Sequence, residues 1–237
     1  MNRQKNMLEI ADLNTFIGQF HILEGVALTV PVGSITVMLG RNGAGKTTTL
    51  RSIMGLTPPR SGTIRFQGQA LNGKTPHAIA RLGIGYVPEH RAIFKELTVR
   101  ENLQISARQK DDLAKSEAFI FELFPDLKRL IHLPGGNLSG GQQQMLAIAR
   151  VLVPHNTLLL IDEPSEGLAP VIIESLMDAI RRLSAEKTVL LVEQNFRVAS
   201  KLADRYVMID DGHSVAYGMM SELVKDQALI QRYLGVA

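Results

Sequence analysis

The chain has 237 residues, 45% of them hydrophobic and 21% charged, with a net charge of +3. That is enough apolar sequence to bury a core, and it excludes disordered, collagen-like and low-complexity chains. No cysteine is present, which excludes a disulfide scaffold, a zinc ribbon, an iron–sulfur site and a thiol nucleophile, and the small, scattered positive charge is weak ground for binding nucleic acid or a membrane surface.

The N-terminal stretch MNRQKNMLEIADL reaches Glu9 and Asp12 before any apolar run that could act as a signal peptide. The longest uncharged stretch, Gly25 to Gly40, contains Pro31, Gly33 and Ser34. A spanning helix needs about 20 predominantly apolar residues, so a soluble, cytoplasmic chain is expected. Short apolar runs alternating with helical patterns predict an α/β fold. A strand is expected at Ser34–Leu39, then a helix from Gly45 to Met54 ended by Gly55. Thr63–Phe66 with Gly68 reads as part of an antiparallel ribbon, and Ile84–Val87 as a short strand. From Val99 to Leu152 the periodicity is helical, broken at Pro125 and at Pro134-Gly135-Gly136. Leu158–Ile161 and Val189–Val192 are all-apolar strands of the kind buried on both faces of a parallel sheet. A helix over Ala169–Ser184 fits between them; a strand at Tyr206–Ile209 and two short C-terminal helices follow. One domain over residues 7–237 is expected, its α/β core at 7–88 and 156–237 and a helical block inserted at 89–155.

Three features carry chemistry. Gly40-Arg41-Asn42-Gly43-Ala44-Gly45-Lys46-Thr47, followed by Thr48, matches the phosphate-loop pattern G-x-x-x-x-G-K-[ST] between a predicted strand and a predicted helix. Glycines let successive backbone N–H groups converge on phosphate oxygens, and the helix presents its N-terminus to the same anion. Lys46 reaches the β- and γ-phosphates, and the Thr47 hydroxyl is suited to Mg²⁺. The strand Leu158–Ile161 delivers Asp162 and Glu163 to the sheet edge where α/β proteins bind ligands. Asp162 is placed to hold Mg²⁺ or its water, and Glu163 to polarise an attacking water. The strand Val189–Val192 brings Glu193 and Gln194 to the same edge, so one nucleotide site explains all three strand ends. The third feature, Leu138-Ser139-Gly140-Gly141-Gln142, combines a Ser N-cap and a Gln three residues on with two glycines that leave backbone N–H groups open to an anion. Met145, Ile148 and Leu152 follow as a buried stripe.

In this order and spacing, GRNGAGKTT, LSGGQ and LLLIDEP resemble the ATP-binding-cassette family, the ATPase domain of ABC transporters, over essentially the whole chain. The resemblance implies a P-loop NTPase core of mostly parallel sheet, with an antiparallel β subdomain and an inserted α-helical subdomain. It implies two cassettes holding two ATP molecules head to tail, each between one chain's phosphate loop and the other's Ser139–Gln142 segment. It also matches Phe16 to the family's adenine-stacking aromatic; from the residues alone Phe16 is core or stacker. Three positions depart from the family. Glu89 stands where Gln is usual, keeping a metal-ligating oxygen but losing the amide donor. Gln194 replaces the switch histidine; it can donate to phosphate but cannot become a cation. Ala169 stands where many cassettes have Asp, which removes that residue's usual contact across the dimer. VPE, SEGLAP, LVEQN and the ending QRYLG together resemble the branch of branched-chain amino-acid importers, with the related amide and urea importers, and within it the shorter, second ATPase subunit.

The expected function is therefore an ATPase that energises import, with ATP and Mg²⁺ bound. Lys46, Glu89, Glu163 and Gln194 do the chemistry, and Thr47, Asp162 and Glu89 surround the metal. The expected partners are a second ATP-binding subunit, identical or paralogous, membrane permease subunits and, indirectly, a solute-binding protein. The chain would sit on the inner face of the cell membrane. The Phe94–Val99 region begins the block that would dock a permease helix, though its apolar residues fit an ordinary core equally well. A soluble cassette acting on ribosomes or DNA is the rival reading; such proteins usually carry two cassettes or a long insertion, and this chain has one copy of each motif. A GTPase or small-molecule kinase does not account for LSGGQ, and no Asn-Lys-x-Asp guanine-reading motif is present. The six His residues lack metal-ligand spacing, and Arg181-Arg182 reads as a solvated helix face.

Overall fold

A computed structural model describes residues 5–235; residues 1–4 of the N-terminal stretch and 236–237 of the expected domain lie outside it. In chain order the elements are β1 (Asn6–Ile17), β2 (Phe20–Pro31), β3 (Ile35–Leu39), α1 (Lys46–Ile53), β4 (Ser61–Phe66), β5 (Gln69–Ala70), α2 (Pro76–Arg81) and β6 (Ile84–Val87). The helical block follows as α3 (Val99–Gln104), α4 (Asp112–Leu123), α5 (Pro125–Arg129) and α6 (Gly140–Leu152). The chain closes with β7 (Leu158–Asp162), α7 (Pro170–Leu183), β8 (Thr188–Val192), α8 (Phe196–Leu202), β9 (Arg205–Asp210), β10 (His213–Met219), α9 (Met220–Leu223) and α10 (Gln227–Leu234).

A six-stranded sheet in the order β10-β9-β3-β8-β7-β6 forms the centre, with every pair parallel except β10–β9. Strands β3, β7 and β8 are buried at every residue, which is why their sequences are unbroken apolar runs. Their side chains alternate between two cores. Leu159 and Ile161 of β7, and Val189 and Leu191 of β8, face the core shared with α6, α7 and α8. Leu158, Leu160, Leu190 and Val192 face the other, where α1 and the antiparallel sheet pack.

The second sheet, β2-β1-β4-β5, is antiparallel. Its β4–β5 ribbon turns through Gln67 and Gly68, both at positive φ (49° and 81°), the geometry that two-residue hairpins favour. Its long hairpin β1–β2 was not expected from the sequence. One face of β1 buries Leu8, Ile10 and Leu13, while Glu9, Ala11 and Asp12 on the other are exposed, and bulges interrupt the register. Within the helical region the breaks at Pro125 and Pro134–Gly136 are present. A further break between α3 and α4 was not anticipated: Asp112 Oδ2 accepts the N–H groups of Arg108 and Gln109 at 2.8 and 2.9 Å, holding that segment as a turn.

Candidate active site

The C-terminal ends of β3, β7 and β8 meet at one cleft of about 440 Å³. Asn42, Gly43, Gly45, Lys46, Thr47 and Thr48 line it from the phosphate loop and the start of α1. Glu163, Gln194 and Glu89 line it from the ends of β7, β8 and β6. Gly40 and Arg41 lie behind the cleft and accept the Lys46 ammonium through their carbonyls at 2.9 and 3.0 Å. The loop is closed by Ala44 N–H, which donates to Arg41 O at 3.2 Å. Gly40 cannot carry a side chain: a Cβ there would lie 2.1 Å from the carbonyl oxygen of Ile209. Gly45 holds φ 107° immediately before α1, and no side chain caps that helix, so its first amides face the cleft without a side-chain partner.

Glu163 adopts a left-handed backbone (φ 44°), a costly conformation for a residue other than glycine that aims its side chain into the cleft. One carboxylate oxygen lies 3.5 Å from Lys46 Nζ, and the other accepts from Gln194 Nε2 at 2.5 Å. Asp162 is fully buried beneath it. Thr47 Oγ1 donates to Asp162 Oδ1 at 3.1 Å and the Tyr86 hydroxyl to Oδ2 at 3.3 Å. Burial, reinforced by the charges of Glu163 and Glu89 and opposed by those two donors, pushes the Asp162 carboxyl up to about 6. Burial and Asp162 likewise push the Tyr86 phenol up, so it remains a donor.

The set fits a small hard cation. A fully buried carboxylate with a raised pKa sits beside a hydroxyl, and a divalent ion would restore its charged form. Mg²⁺ binds one or two carboxylates and takes the rest of its shell from water and phosphate, and Asp162 with the Thr47 hydroxyl is a partial set of that kind.

Phe16 does not line the cleft. Its ring stacks on His21 at 4.1 Å, and the Arg60 guanidinium lies over it at 3.6 Å. Successive strand residues point to opposite faces, so Ile17 takes the cleft side, with Ile22. Ser139, Gly140, Gly141 and Gln142 also lie outside this cleft. They open α6 as a complete capping box: Ser139 Oγ accepts from Gln142 N–H at 3.3 Å, and Gln142 Oε1 from Ser139 N–H at 3.0 Å. The sequence reading passed over Ile17, Ile22 and Glu166, which also line the cleft. The Ser-Glu-Gly run that follows Pro164 could have found Glu166.

The ABC transporter family matches residues 23–166. The high-affinity branched-chain amino acid transport ATP-binding protein BraG of Pseudomonas aeruginosa is 41% identical over 232 residues, covering 97% of this chain and 100% of its own. A probable branched-chain amino acid transport ATP-binding protein, LivF of Archaeoglobus fulgidus, is 35% identical over 97% of this chain and 99% of its own. Among solved structures, the ADP conformation of MJ1267, an ATP-binding cassette of an ABC transporter, superposes with a TM-score of 0.85 at 25% identity, over 98% of this chain and 99% of that one.

Proposed function

This chain belongs to the ABC transporter family, and we propose that it is the ATP-hydrolysing subunit of an importer for branched-chain amino acids. The observation that carries the hydrolytic reading is Glu163 held between Lys46 and Gln194 in the cleft that contains the phosphate loop. The solute class rests on its likeness to BraG and LivF along nearly the whole chain.

Lys46 and the amides of Gly43, Gly45 and Thr47 hold the β- and γ-phosphates; Lys46 exchanges the carbonyls of Gly40 and Arg41 for phosphate oxygens. Thr47, Asp162 and Glu89 would hold Mg²⁺, which when bound neutralises phosphate charge in a cleft that also contains Glu163 and Glu166. Glu163 accepts the proton of the attacking water. Gln194 orients that carboxylate and donates to the γ-phosphate. Ile17 and Ile22 give the nucleobase an aliphatic wall.

Ser139 to Gln142 lie outside the chain's own cleft, which supports their use in a second cassette's site, in a head-to-tail pair with an identical or paralogous subunit. Among the described residues no helix is long and apolar enough to cross a membrane. Transport would then require separate permease subunits, with this chain on the inner face of the membrane and a solute-binding protein delivering the solute.

Glu163→Gln tests the reading. In the assembled complex, ATP affinity should be kept while phosphate release falls by roughly 10²- to 10⁴-fold, the usual contribution of a positioned general base. Unchanged steady-state hydrolysis would remove Glu163 from that role. Uptake of labelled leucine, isoleucine and valine, compared with amides and urea, in cells carrying the variant assigns the solute.

A further inference from the structure

Glu193 is a carboxylate at the end of β8 to which the hydrolytic chemistry gives no task. It is 2% exposed and does not line the cleft. Removing an ionised carboxylate from water is costly unless it is paired or hydrogen-bonded. Among the described residues it makes no salt bridge. Its oxygens are instead filled by donors from two loops. Oε1 accepts the Ser165 hydroxyl. Oε2 accepts the backbone N–H of Gln194 at 3.1 Å and of Asn195 at 3.4 Å.

These donors sit on the two segments that carry the hydrolytic pair. Ser165 follows Glu163 by two residues, and Gln194 is the residue whose Nε2 reaches Glu163 Oε2 at 2.5 Å. A simple helix cap does not explain the arrangement, because α8 already has one: Asn195 Oδ1 accepts from Val198 N–H at 3.3 Å. Burial raises the Glu193 pKa against the pull of its three donors, so the chain keeps a carboxylate where an apolar side chain would be easier to bury.

We propose that Glu193 is a positioning residue for hydrolysis: its buried carboxylate fixes the loop after β7 to the loop after β8, so that Gln194 holds Glu163 in its working orientation. The proposal rests on Glu163 acting as the base, and the test separates the two. The variants are Glu193→Ala, Glu193→Gln, Ser165→Ala, Ser165→Thr, Gln194→Ala, the Glu193→Gln/Gln194→Ala double variant and Glu163→Gln in the full chain, purified with its membrane subunits. Steady-state hydrolysis gives kcat and KM, with ATP affinity and Tm measured alongside.

Glu193→Ala should lower kcat by about 30-fold with KM for ATP changed less than about threefold, the signature of a misplaced catalytic group. Ser165→Ala should lower kcat by about fivefold, and Ser165→Thr, which keeps the hydroxyl, should restore it. Glu193→Gln keeps the shape and one acceptor, and its Tm is the check that it folds; it should lower kcat alone but add no further loss to Gln194→Ala, because its effect passes through Gln194. Additive losses in that double variant would overturn the proposal. So would wild-type kcat in Glu193→Gln and Ser165→Ala while Glu163→Gln is inactive, whatever happens to Tm. Full turnover by Glu163→Gln removes the base assignment and the proposal with it.

Discussion

Two helices in this chain begin at glycine-rich segments, and they begin differently. Helix α1 starts after a left-handed glycine with no side-chain cap, inside the cleft, with Lys46 as its first residue. Helix α6 starts with a reciprocal Ser139–Gln142 capping box, outside that cleft. The first end leaves amides for a ligand to satisfy. The second pairs the amides of Ser139 and Gln142 with its own side chains and exposes Gly140. The α1 end is thus built to be completed by an anion in its own cleft, whereas the α6 end is stable alone and available to another molecule's ligand.

Three measurements break or sharpen this contrast. The largest effect concerns Asp162, beside the α1 end. Its native pKa of about 6 lies above the ordinary 3.8, so the folded chain binds this proton more tightly than the unfolded chain does. The stability from this group is full below about pH 4 and is lost as pH rises through 6, a swing of about 3 kcal/mol. In metal-free buffer, Asp162→Asn should remove that swing, as read by denaturant unfolding at pH 4, 5, 6 and 7.5. Identical pH profiles for variant and wild type would contradict the burial argument. Next, Lys46→Ala should weaken ATP binding by the single chain by about 30-fold, since hydrogen bonds from a charged donor are worth about 1.5–3 kcal/mol. The smallest effect is at the other helix. Ser139→Ala removes a cap worth about 1 kcal/mol; it should lower the unfolding midpoint slightly, leave ATP affinity of the single chain unchanged by isothermal titration, and slow turnover only in the assembled complex. Reduced affinity in the isolated chain would place Ser139 in its own chain's site and erase the contrast.

What the sequence disclosed follows from how each element is buried. Strands β3, β7 and β8 are covered on both faces, so they are written as unbroken apolar runs and are legible alone. Strands β1 and β2 bury one face and carry charges on the other, and their bulges break the alternation that would have announced them. The same irregularity bears on Phe16. A register shift lies between Thr15 and Phe16, so which of Phe16 and Ile17 faces the cleft depends on pairing that the sequence does not express. The phosphate loop, Asp162 and Glu163 were legible because their residue types and spacing are demanded by anion and metal chemistry. Glu193 was read only as one of several polar residues at a sheet edge; its buried bonds to Ser165, Gln194 and Asn195 need the loop after β7 folded against it.

Strand β7 is hydrogen-bonded on both sides, to β6 and β8, and sends alternate side chains into two separate cores. Moving Asp162 along the strand axis would drag Leu158 and Leu160 through one packed interior and Leu159 and Ile161 through the other, and such interiors do not yield by small amounts. The carboxylate end of β7 is therefore a fixed datum within the chain. Any change in the geometry of the site within the chain is measured from it.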